Sequence, residues 1–119
     1  MALPAPVLMT VGYKIMLVAE PTLDGSAKQP DGSPIPFQGT PTWTADDNGK
    51  IVTLTPAGTS CTVATVGALN AAGPVGLVTV TCSIVGQDPT NPVVFAVRIE
   101  VVSALADGLN IRTGQPVPQ

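Results

Sequence analysis

PTWTADDNGKIVTLTP, residues 41–56, reads as two short strands around a turn, and it holds both the single tryptophan of the chain and its densest acidic cluster. Thr42 and Thr44 flank Trp43, so a period of two puts the indole on one face of a strand and the hydroxyls on the other. The connector carries Asn48 and Gly49, a pair that supplies the positive φ angles of a hairpin turn. The expectation is a strand over 40–45, a turn, and a second strand over 51–55.

The same connector invites a metal reading. Asp46, Asp47 and Asn48 bring oxygen atoms together, and calcium takes six to eight of them. The run lacks the spacing and the terminal glutamate of a helical calcium loop. Asp24, Asp31, Asp88 and Asp107 reach it only through folding. Asp and Asn side chains cap turn amides and glycine supplies the permissive backbone, so the run is read as a turn and no metal is expected.

Working outward, the chain of 119 residues has room for one domain with a hydrophobic core. It contains 16 Val, 14 Thr, 12 Gly and 13 Pro, while Leu, Glu, Lys and Arg are scarce. Such usage suits strands joined by many turns and leaves little material for a helix. Only 13 residues are charged, with a formal net charge of -3. Lys14, Lys28, Lys50, Arg98 and Arg112 are scattered, which gives no electrostatic footprint for nucleic acid. A nearly neutral exterior of Thr, Ser, Ala, Gly and Pro suits contact with other proteins.

The first ten residues read as an extended arm, because Pro4 and Pro6 oppose both helix and central strand. A strand follows over 11–19, with Tyr13, Ile15 and Leu17 on one face and Gly12, Lys14 and Met16 on the other. A long polar connection then carries two turn signals, Asp24 with Gly25 and Asp31 with Gly32, and its length suits a crossing between sheets. Residues 61–66 and 77–84 read as a hairpin around a glycine-rich loop. Residues 93–102 alternate most clearly, with Phe95, Val97, Ile99 and Val101 on one face and Arg98 and Glu100 on the other. Leu109 and Ile111 alternate in a last strand before the proline-rich end, residues 114–119. About seven antiparallel strands separated by turns is the pattern of an all-β, immunoglobulin-like sandwich. Trp43 is read as part of its core, a ring large enough to dominate a small interior. Tyr13, Phe37 and Phe95 complete the aromatic inventory, which forms no ligand-stacking platform.

Cys61 and Cys82 face each other if 61–66 pairs with 77–82 in the register that sets Val66 opposite Leu77. The pair then shares the valine face and points into the core. Two thiols with no histidine leave a zinc shell half empty, and no base is at hand for thiol catalysis. A cross-strand disulfide and two buried reduced thiols remain open, the latter favoured for a chain made in the cytosol. The amino terminus lacks a basic residue ahead of its apolar stretch and Lys14 interrupts that stretch, so neither a signal peptide nor a membrane anchor is expected.

Catalysis finds few parts. Without histidine there is no Ser-His-Asp or Cys-His arrangement. Ser26, Ser33, Ser60, Ser83 and Ser103 have no activating partner in sequence, Glu20 and Glu100 fall on strand edges or outward faces, and no phosphate loop precedes a helix. The chain is read as a non-enzyme without cofactor, catalytic or metal residues.

PDGSPIPFQGTPTWTADDNGKIVTLTPAG, the following CTVATV and the strand LVTVTCSI together resemble the bacterial immunoglobulin-like domains of surface adhesins and phage structural proteins. Trp43 matches that family's core tryptophan, Asp46 and Asp47 its turn, and Gly67 and Gly76 its later hairpin. The resemblance spans residues 11–113, between the arm of residues 1–10 and the tail of residues 114–119. A single module without an export signal looks more like the small phage proteins that decorate capsids or tails than like a tandem adhesin. The resemblance implies a virion structural protein made in the host cytoplasm. It would be a capsid decoration or cement protein contacting the major capsid protein, other virion proteins or its own copies, without nucleic acid or membrane. The alternatives are a glycan- or host-surface-binding module and a phage tail component.

Overall fold

The computed structural model describes residues 5–22, 26, 28–36, 38–86 and 90–119, without the side chain of Gln38. The expectations at Pro4, at the Asp24 and Gly25 turn, at Phe37 and at Asp88 lie outside the described residues. Seven strands and no helix appear among the described residues: β1 Val7–Thr10, β2 Lys14–Val18, β3 Gln38–Ala45, β4 Val52–Ala57, β5 Ser60–Thr65, β6 Gly76–Val85 and β7 Val93–Val102. They form two sheets, one ordered β1-β7-β6-β3 and the other β2-β5-β4. The all-β reading holds, and the strand at 93–102 falls where its alternation places it.

The core lies between the sheets. Met9 and Val11, Val52, Cys61 and Val63, Val78 and Val80, and Ile99 and Val101 are its buried residues. Val63 on β5 faces away from solvent while its neighbours Thr62 and Ala64 are only half-buried, as a period of two on a one-sided sheet requires. No polar side chain is buried among the described residues.

Several connections differ from the sequence reading. The strand over 11–19 is interrupted at Gly12, whose φ of 96° turns the chain from one sheet into the other. The residues before it, taken as the end of an arm, are β1, which pairs parallel to β7 with Val7 opposite Ile99. One pairing is therefore parallel in a sandwich expected to be antiparallel throughout. A short extended segment can add to a sheet edge in either direction when no tight turn ties it to its partner.

β3 and β4 belong to different sheets, so residues 46–51 make a crossing rather than a hairpin. Pro41 and Pro56 lie inside these strands rather than bounding them. Both strands are at sheet edges, where a missing N–H leaves no gap in a ladder. The true local hairpin is β4–β5, with Ala57 opposite Ser60 and a two-residue turn at Gly58 and Thr59. Gly58 has a φ of 64°, the positive value that the first position of a type II′ turn demands. The Gly58-Thr59 pair is the sequence signal of this turn.

The expected hairpin of 61–66 with 77–84 is also corrected. β5 pairs with β2 and β4, whereas β6 pairs with β3 and β7. The glycine-rich loop over 66–75 crosses between sheets, and hydrophobic alternation alone does not say which of two valine strands is the neighbour. Leu109 and Ile111 form no strand and are exposed, at 89% and 79%. The long connection between β2 and β3 does pass from one sheet to the other, as its length suggested. Within it Gly32 donates to the Gln29 carbonyl at 2.9 Å, and Lys28 bridges Pro34, so Pro30 and Asp31 occupy a tight turn.

Candidate functional site

The acidic run works on backbone. Asp47 accepts through Oδ2 from the amides of Ile51 at 2.8 Å and Val52 at 2.7 Å, and through Oδ1 from Gly49 at 3.2 Å. Partial burial alone would raise this carboxyl, but the amide bonds from Val52, Ile51 and Gly49 outweigh it and hold the group below the ordinary carboxylate range. Asp46 accepts from the Thr79 amide at 2.9 Å and donates its own amide to the Thr79 carbonyl at 3.2 Å. It thereby prolongs the β3–β6 ladder by one rung. Asn48 and Gly49 take φ angles of 55° and 77°, the values the pair was expected to supply. Asp31 is likewise held below the ordinary range, first by the Ser33 hydroxyl, which donates to it at 2.6 Å, and then by the Ser33 amide.

Cys61 and Cys82 are free thiols on opposite sheets, not opposite partners in one ladder. Burial pushes both thiols up, and the neighbouring Cys61 adds to the effect at Cys82. Neither has the electropositive setting that makes a thiolate nucleophile. Among the described residues, no three His, Cys, Asp or Glu side chains gather as a metal group would.

A different site emerges from unequal strand lengths. β6 and β7 have 10 residues each, about 33 Å of strand, whereas β4 and β5 have 6 each, about 20 Å. The larger sheet therefore overhangs the smaller one. Along the inner face of β7, Val101 and Ile99 are buried, Val97 is half-buried, and Phe95 and Val93 are 63% and 53% exposed. Their partners on β6 follow the same course, from buried Val78 and Val80 to half-buried Cys82 and Ile84. The smaller sheet ends at the Gly58 turn, whose carbonyl accepts the Trp43 indole N–H at 3.3 Å.

Beyond that point the overhang floors an apolar cleft of about 1030 Å³. Trp43, Cys82 and Phe95 form one cross-strand row in its floor, since Cys82 pairs with Trp43 on one side and Phe95 on the other. Leu17 from β2, with Ile35 and Pro36 from the long connection, makes the facing wall. Trp43 is thus half-buried at the margin of the core rather than at its centre. Among the described residues Glu20 is the only charged side chain lining the cleft. Its volume is at the upper end of the range of small-molecule sites, and its described lining residues include no convergent set of acid, base or nucleophile.

The cleft was not foreseen in the sequence. Its one legible sign was Phe95 sharing an inward face with Val97, Ile99 and Val101; that the opposite sheet stops short of it depends on strand lengths. A smaller hollow of about 500 Å³ lies at the other end, beside exposed Tyr13, Lys14 and Asn70. Tyr13 does not join the core with Ile15 and Leu17, because Gly12 turns the chain just before it. No family model, characterised protein or solved structure matches this chain.

Proposed function

We propose that this protein is a non-catalytic structural subunit with an immunoglobulin-like fold, of the kind that decorates or cements a virion capsid. The strand orders support the fold: β2-β5-β4 and β3-β6-β7 correspond to the B-E-D and C-F-G sets of a seven-stranded immunoglobulin-type sandwich. The observation that carries the function is the uncovered inner face around Phe95, Val93 and Trp43. An apolar surface with, among the described residues, a single carboxylate at its rim and no reactive constellation suits burial against another protein. On a repeated lattice, such individually weak contacts add through multivalency.

The partners in this reading are the major capsid protein or other virion proteins, and the place of action is the virion. Density-gradient purification of intact particles tests it: the chain is expected to band with the capsid protein in a constant ratio. Recovery only from the soluble fraction of the lysate would reject the reading. A glycan-binding module would present an aromatic platform beside polar groups. Trp43 is instead turned toward the core margin, and Tyr13 is the only aromatic residue lining its hollow among the described residues.

A further inference from the structure

Residues 103–119 leave β7 and continue with no strand, although Leu109 and Ile111 alternate with Asn110 and Arg112 as an amphipathic strand does. Every residue from Leu105 onward is exposed. The molecule measures 79 × 32 × 26 Å, far longer than a ten-residue strand of about 33 Å. A strand pattern without a ladder lies on a projecting segment.

The cleft and this segment sit at opposite poles. The cleft gathers the end of β6 with the start of β7, where Ile84 pairs with Val93. The tail departs from the other end of β7, where Thr10 pairs with Val102 and the Ala104 amide donates to Ala71 at 3.2 Å. β7 runs from the cleft toward that pole, so the tail is launched away from the cleft of its own molecule. Beside the cleft, β2 is an edge strand, and Leu17, Val18 and Glu20 line the opening. An edge strand presents unpaired N–H and C=O groups that an added strand can satisfy.

We propose that the tail of one copy occupies the cleft of a second copy, laying residues 109–113 along the free edge of β2. Leu109 and Ile111 cover Phe95 and Cys82, while Arg112 meets Glu20 at the rim. The interface is heterologous, so each bound copy offers a free cleft at one end and a free tail at the other, and assembly runs head to tail into chains or closed rings. This rests on the structural-subunit reading, but the purified protein tests it without particles, so failure of one does not decide the other.

Light scattering after size-exclusion chromatography is to be run on the full chain, on a chain ending at Ala104, and on Phe95→Asp. The full chain is expected to grow in mass with concentration, while each variant stays monomeric. Mixed, the two variants are expected to form a one-to-one dimer and nothing larger, because the truncated chain retains a cleft and Phe95→Asp retains a tail. Alkylation of Cys82 in the full chain is expected to slow at least tenfold upon assembly and to show no such protection in the truncated chain. Ile111→Asp alters only the projecting segment, so its loss of assembly is free of any folding defect should Phe95→Asp misfold. A full chain that is monomeric at every concentration overturns the proposal. So does assembly undiminished by the truncation or by Ile111→Asp. Cys82 protection in a monomer also overturns it, placing the tail in its own cleft.

Discussion

Asp47 does for the crossing between β3 and β4 what a helix cap does for a helix terminus: one carboxylate serves three amides that have no strand partner. Because its folded-state carboxyl lies below the ordinary value, its contribution is fully present above about pH 4, the unfolded range, and is lost as acid protonates the folded form. Asp47→Asn is expected to cost about 1 kcal/mol at neutral pH, a charge-assisted figure reduced for solvent screening. Urea titration should show the variant's deficit shrinking as the pH falls below about 4. An unchanged midpoint at pH 7 would contradict the capping role. Gly12 has less latitude still: a Cβ there would lie 2.4 Å from the Leu69 Cα, at a φ that side chains rarely adopt. Gly12→Ala should lower stability by about 2 kcal/mol or more, read as a fall in melting temperature. Nearby, Thr65 accepts from the Gly12 amide at 2.7 Å and donates to the Tyr13 carbonyl at 3.1 Å, so Thr65→Val is expected to cost about 1–2 kcal/mol in the same assay.

β7 brings two kinds of environment onto one face of one strand. Ile99→Ala should cost about 2–4 kcal/mol, because it empties fully buried space between the sheets. Phe95→Ala, four positions earlier on the same face, should cost the monomer less than about 1 kcal/mol, because 63% of the residue is already in water. Denaturant unfolding of dilute protein separates the two, and equal losses would mean that the overhang is covered. The strands themselves were readable because their residues alternate strongly and their neighbours are turn formers. Their pairings were not, because 61–66 matches 77–82 in valine pattern as well as it matches its real partners. A loop of ten residues over 66–75 permits either a hairpin or a crossing.

The shape of the whole molecule separates folding from assembly. The tail contributes no buried side chain from Leu105 onward, so a chain ending at Ala104 is expected to melt within about 2 °C of the full chain when both are monomeric. Differential scanning calorimetry checks this, and a large drop would tie the tail to its own sandwich. The low charge of the chain acts at this level too. With 5 basic and 8 acidic residues, long-range repulsion between copies is weak and apolar patches can approach. The cleft went unforeseen for a related reason: it is a mismatch between sheets, and no single strand carries its signature.

Alternation of Val and Thr with Gly, Pro and Asp turns sufficed to establish a β protein, the strands over 40–45, 77–84 and 93–102, and the turn character of Asp46, Asp47, Asn48 and Gly49, because these follow from contacts only a few residues apart. Which strands share a sheet, that Cys61 and Cys82 lie on opposite layers, and that Phe95 is left uncovered came from the folded arrangement alone. Pairing is a competition among distant segments of similar pattern, settled by loop crossings and relative strand length, and neither is written in any local stretch of residues.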